Sequence, residues 1–176
     1  MQTDGIVKIV AELKSMFIGL SHEEICDALG ICVMSYAMGE GARACKGFFL
    51  RQFGVSCIMI NSDLSERNRQ IVLAHEMGHA CLHEKQAETS EFLDINMFGN
   101  IGIYEHEANL FAGELLLGDE EVLDLLSDGA PIKAAAAALE VPEELMDYKF
   151  HILEKKGYPV RPVLYADSGF LKNLAG

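Results

Sequence analysis

Two histidines four residues apart bracket a glutamate in His75-Glu76-Met77-Gly78-His79, inside a stretch whose apolar residues recur at helical spacing. No other part of the chain restricts its fold as strongly. On a helix, residues four apart stack on one face about one turn apart, so both imidazoles point at one spot. Placed so, they can share a Zn²⁺ ion at about 2.0–2.1 Å each. Glu76, next round the helix from His75, is positioned to act as a base on water activated by such an ion. Taking about 100° per residue from Gln70, Leu73, Ala74, Met77, Ala80 and Cys81 fall on one side of the helix. Val72, His75, Glu76, His79 and His83 fall on the other. One face is therefore expected to pack into a core while the histidine face looks into a cleft.

His83 lies four residues beyond His79, but three ligands on one straight helix run along a line and cannot surround a single ion. It reads instead as a histidine behind the ligands or near the helix cap. The metzincin pattern needs Gly at 82 and His at 85, where this chain has Leu82 and Lys85. The third ligand is expected from a second helical pattern between Gly102 and Leu117, whose apolar stripe contains Ala108, Phe111, Ala112, Leu115 and Leu116. Glu105 falls inside that stripe with Asn109. A carboxylate among apolar residues needs a partner, because burying it alone is expensive, and a metal supplies one. Glu107 and Glu114 project the other way, where solvated carboxylates normally sit. The expected ligands are thus His75, His79 and Glu105, with Glu76 as catalytic base and Asn109 orienting an imidazole from behind. The rival reading of Glu105 is a salt-bridged acid at a helix start. Removing Glu105 should cut metal affinity; removing Glu107 should not.

The run Arg69-Gln70-Ile71-Val72-Leu73-Ala74-His75-Glu76-Met77-Gly78-His79, closing at His83, resembles the active helix of ImmA/IrrE-type metallopeptidases. Glu105-His106-Glu107-Ala108-Asn109-Leu110-Phe111-Ala112-Gly113-Glu114-Leu115-Leu116-Leu117 is similar to that family's ExEANxFAxELL segment, and Ile58-Met59-Ile60-Asn61 to the strand and Asn before its active helix. The strong likeness covers about residues 55–118. Gly118 departs from it, standing where the family usually has Pro, which alters the helix end and leaves the chemistry untouched. The resemblance implies Zn²⁺ held by His75, His79 and Glu105, in agreement with the helical-wheel reading. It also implies a substrate: a helix-turn-helix repressor, cut to relieve repression, as in relatives encoded beside such repressors on mobile elements or in stress operons.

The expected fold class is α+β and zincin-like, mostly helical, with a small antiparallel or mixed sheet beside the HExxH helix. With 176 residues, one compact domain is expected. Residues 1–118 would form the metallopeptidase core, 119–156 a helical hairpin packed on it, and 157–176 an extended tail. A helix over 4–17 is followed by a second opening at the Ser21/Glu24 capping box and closing at Gly30. Ile31–Tyr36 reads as extended, Gly47–Gln52 and Val55–Ile60 as a hairpin turning at Phe53-Gly54, and Ser65–His83 as the active helix. Residues 84–100 read as a polar loop bridging the ligand helices. Asp119–Leu126, Ile132–Leu139 and Glu143–Lys155 read as helices. The last two mimic a DNA-binding pair, but residues 119–154 hold ten acids against Lys133 and Lys149, which opposes contact with DNA.

No run of 18 or more apolar residues is present, so a membrane span is not expected, and the amphipathic N-terminus lacks the form of a signal peptide. A cytoplasmic setting follows. The five cysteines, Cys26, Cys32, Cys45, Cys57 and Cys81, form no CxxC pair and read as reduced thiols packed as small apolar residues. A net charge of −13 opposes direct nucleic-acid binding. It suits a basic partner protein, and equally suits ordinary solubility.

An extended substrate is expected to pair with the edge of the small sheet, at Val55–Ile60. Tyr104, Tyr148 and His151 are all candidates for stabilising the transition state. Two rival functions stand beside the peptidase: a metal-stabilised module that sequesters a repressor without cutting it, and a metallohydrolase acting on a non-peptide bond. A general base beside an open metal position favours catalysis over sequestration.

Overall fold

A computed structural model describes residues 1–41, 43–88, 101–127 and 131–160. Its elements, in chain order, are α1 (Thr3–Met16), α2 (His22–Ala28), β1 (Ile31–Tyr36), β2 (Gly47–Gln52), β3 (Val55–Asn61) and α3 (Glu66–Leu82). Then come α4 (Glu84–Glu88), α5 (Ile101–Leu116), α6 (Asp119–Ser127), α7 (Ile132–Ala138) and α8 (Glu143–Lys155). The chain is α+β, with one small mixed sheet packed beside the helices. Among the described residues no helix is long and apolar enough to cross a membrane. The tail from residue 161 and most of the segment expected as a loop, residues 89–100, lie outside the described residues.

Local chemistry sets the boundaries. α1 buries Ile6, Val10 and Leu13 at helical spacing. The Ser21 hydroxyl accepts from the Glu24 N–H while the Glu24 carboxylate accepts from the Ser21 N–H, so the capping box opens α2 as expected. Ser65 caps α3 by accepting from the Asn68 N–H. α4 departs from the loop reading: Glu84–Glu88 is helical, and Glu84 pairs with Arg51 of β2.

β3 is the middle strand, parallel to β1 and antiparallel to β2. The β2–β3 hairpin turns through Phe53 (φ 52°) and Gly54 (φ 78°), both left-handed as a type I′ turn requires. Because Val55–Ile60 is hydrogen-bonded on both sides, it offers no free edge to a substrate. The edges are β1 and β2. At the end of β3 the fully buried Asn61 ties the preceding loop to the strand. Its Nδ2 donates to the carbonyls of Gly39 (2.8 Å) and Cys45 (2.9 Å), and its Oδ1 accepts from the N–H groups of Met38 and Asp63. Every donor and acceptor site it offers is used, which removes the penalty of burying an amide.

Strand alternation puts Gly47, Phe49, Ser56, Ile58 and Ile60 on the face that meets α3. α5 crosses the other side of α3 and also packs on α1 and α8. The two helices meet most closely at Gly78, where an added Cβ would stand 3.0 Å from Ala108 Cα. α5 therefore has no solvent side along its middle, and Glu107 and Glu114 are buried. This overturns the reading that both acids face solvent. A stripe-and-polar-face analysis assumes one wet face, and here three helices surround the element.

Glu114 is neutralised from α8. Lys149, only 1 % exposed, donates to Glu114 at 2.6 Å and to Asp119 at 2.5 Å. Lys156 bridges the same two acids, and Lys14 of α1 donates to the main-chain carbonyl of Glu114. One of the two lysines counted between 119 and 154 is thus locked inside the molecule.

Candidate metal centre

Crossing α3 over α5 brings His75, His79 and Glu105 into one cluster, their ligand-type atoms all within 4.8 Å of one another. His75 Nε2 and His79 Nε2 are 3.1 Å apart. Glu105 Oε2 is 3.3 Å from the first and Oε1 is 3.3 Å from the second. Ligands bound tetrahedrally at about 2.0–2.1 Å lie about 3.3 Å from each other, so these spacings fit a small divalent ion. Two imidazole nitrogens and a carboxylate facing one point are a donor set for a metal, as the sequence predicts. Both histidines are buried, while the Glu105 side chain stays 32 % exposed, leaving the cluster open on that side.

The groups behind the histidines fix which ring nitrogen faces the cluster. His75 Nδ1 donates to Asn109 Oδ1 at 2.7 Å, and Asn109 Nδ2 donates to the Tyr148 hydroxyl at 3.3 Å. Asn109 thus takes the place expected of it. His79 Nδ1 contacts His83 Nδ1 at 3.1 Å, and His83 Nε2 donates to Glu107 Oε2 at 2.9 Å. Burial, then the neighbouring His79 and the Met1 ammonium, push His83 down to about 3. It is neutral, accepting from His79 at Nδ1 and donating at Nε2. The Met1 ammonium pairs with the other Glu107 oxygen. So Glu107 works through His83 on His79, a link hidden in the sequence by the assumption of a wet face. The clue was present: a histidine one turn past the motif and an acid two residues past Glu105.

Glu76 is 5 % exposed and sits among His75, His79 and Glu105. Burial raises its carboxyl above the usual range, with His75 and His79 opposing. Its carboxylate accepts from the Phe49 N–H of β2. Gly47, two residues earlier, lets β2 lie against α3: an added Cβ would fall 2.5 Å from Val72 Cγ1 and 3.6 Å from Glu76 Cγ. For Glu105, burial would raise the carboxyl, but hydrogen bonds from His75 and His79 outweigh it and hold it below the ordinary range. For His75, burial opposes the charge, and Glu105 and Glu76 raise the ring above its ordinary value.

The three candidates for transition-state stabilisation separate. Tyr104 packs edge-on against His83, with ring centroids 4.8 Å apart. Tyr148 accepts from Asn109 and meets the His106 ring at a tilt, with centroids 5.3 Å apart; the His151 ring lies 6.4 Å from His106. Both tyrosines thus touch residues that support the histidines.

The buried Glu76 carboxylate thus stands beside a cluster of two histidines and a glutamate, on crossed helices, that could hold a metal ion. Residues 26–151 match the family model of the IrrE N-terminal-like domain, Peptidase_M78. The chain belongs to this ImmA/IrrE family of metallopeptidases. It is 30 % identical over 128 residues to Metallopeptidase ImmA of Bacillus subtilis (strain 168), covering 72 % of each chain. It is also 37 % identical over 103 residues to "Uncharacterized immunity region protein 2" of Bacillus phage phi105, covering 58 % of this chain and 64 % of the phage protein.

Proposed function

We propose that the chain is a zinc-dependent endopeptidase that cleaves a helix-turn-helix transcriptional repressor. The observation that carries the reading is the pairing of Glu76, buried and raised, with a metal-ligand cluster left open on one side. His75, His79 and Glu105 hold the metal. When bound, the ion supplies Lewis-acid polarisation of the scissile carbonyl and acidifies water. Glu76 takes the proton of the attacking water and returns it to the leaving amine, work for which a carboxyl raised by burial is suited. The Phe49 N–H fixes one Glu76 oxygen and leaves the other for the proton.

The substrate lies along the outer edge of β2 and not along β3. The Phe49 N–H is given to Glu76, which marks that edge as the one beside the base. An extended peptide adding to it presents a carbonyl towards the cluster. The net charge of −13 favours a basic partner such as a DNA-binding protein. The names of the two relatives, a metallopeptidase and an immunity-region protein, support the same substrate class, and that class sets the place of action in the cytoplasm.

The test incubates zinc-loaded protein with the helix-turn-helix protein encoded beside it and reads products by intact mass, with Glu76→Gln alongside. A single cut, lost in a variant that still binds zinc, is expected. A stable complex with no cut in either sample would instead support sequestration, and full activity in Glu76→Gln would end the catalytic assignment.

A further inference from the structure

Cys32 of β1 and Cys57 of β3 are direct partners in the parallel ladder. Neighbouring strands lie about 4.7–4.9 Å apart, and a disulfide spans Cα separations of about 4.4–6.8 Å. Residues in register carry their side chains on the same face, here the face turned away from α3. Met34 and Tyr36, also on that face, are exposed. Cys32 is exposed, Cys57 half-buried, and the two side chains hydrogen-bond to each other. This departs from the reading of all five cysteines as packed apolar residues. That reading holds for Cys26, buried in the core, and for Cys81, packed against it.

We propose that Cys32 and Cys57 are a reversible redox pair that closes to an intramolecular disulfide on meeting a small-molecule disulfide. The Cys32 thiolate, the more exposed, attacks one sulfur of the oxidant, expels one thiolate and becomes a mixed disulfide. The Cys57 thiolate then attacks the Cys32 sulfur and expels the second. The two protein thiols lose two electrons and two protons in all, and the oxidant leaves as two thiols. The inference rests on strand register and exposure, and stands apart from the peptidase reading.

The experiment treats the 176-residue chain with oxidised glutathione, alkylates the remaining thiols and reads intact mass and peptide linkage. The expected product is lighter by about 2 Da, keeps three of its five thiols, links the peptides carrying Cys32 and Cys57, and returns to the start with dithiothreitol. Cys57→Ser should instead hold glutathione as a lasting adduct on Cys32, because the resolving thiol is gone. A lasting Cys32 adduct in the parent, a disulfide between other cysteines, or five thiols left free would each overturn the proposal.

Discussion

Gly78→Ala sets two effects of opposite sign against each other. Alanine in place of glycine inside a helix stabilises it by about 1 kcal/mol, so local propensity predicts a gain. The packing predicts a loss. A Cβ at position 78 would stand 3.0 Å from Ala108 Cα, 3.1 Å from Ala108 O and 3.2 Å from Phe111 Cβ, while carbon contacts settle at about 3.5–4.0 Å. Two of these three atoms are backbone and cannot swing aside, so α5 must retreat by roughly 0.5 Å. Overpacking of this kind costs about 1–3 kcal/mol, leaving a net loss of up to about 2 kcal/mol. Glu105 is one turn before Ala108 on the same helix. A retreat of α5 therefore lengthens its 3.3 Å approaches to both histidines, and zinc affinity falls with stability. Gly102→Ala is the control: a Cβ there meets nothing within 4 Å among the described residues, so stability should hold or rise by up to about 1 kcal/mol. Chemical unfolding of the chelated protein and chelator competition for zinc measure the two quantities. A Gly78→Ala variant more stable than the parent would refute the packing argument, and lost stability with unchanged affinity would refute the coupling of α5 to the cluster.

Glu107→Ala should weaken zinc binding about 10–100-fold by freeing His83, and unchanged affinity in chelator competition would make the carboxylate a bystander. Lys149→Met leaves Lys156 as the remaining side-chain counter-ion of Glu114 and Asp119 and should cost about 1.5–3 kcal/mol in denaturant titration; a loss below about 1 kcal/mol would show the cluster to be well hydrated. Burial would raise the Asp119 carboxyl, but hydrogen bonds from Lys149 and Lys156 outweigh it and hold it below the ordinary range. Its contribution is therefore fully present above the unfolded value of about 3.9 and lost as pH falls through the lower folded value. The melting-temperature gap between parent and Asp119→Asn should close across that acid window, and a gap that widens there would contradict the sign. Phe53→Asn relieves a bulky left-handed residue (φ 52°) in a turn that favours Asn-Gly and should stabilise by about 1 kcal/mol, read as a shift in the urea midpoint; no shift would mean the turn carries no strain.

The clustering of His75, His79 and Glu105 was legible because its logic is local. Spacing on α3 aligns His75 and His79, and the phase of α5 singles out Glu105 and Asn109. What lay beyond reach depends on how many neighbours an element has. Glu107 and Glu114 looked wet because nothing in their own helix announces that α1, α3 and α8 enclose it. Val55–Ile60 looked like an edge because a hairpin reveals one partner strand, and the parallel pairing with β1 comes from residues more than twenty positions away. Arg51 and Glu84, which join β2 to α4, are likewise far apart in sequence, so a polar stretch read as loop.

The Tyr148 hydroxyl meets Asn109, and Lys149 beside it neutralises Glu114 from inside the molecule. The cluster carried by residues 75–109 therefore borrows its rigidity from a helix that begins only at Glu143. A screen for loss of function should return alleles in α8 as readily as in α3, with proteins that keep every ligand and still fail to hold a metal.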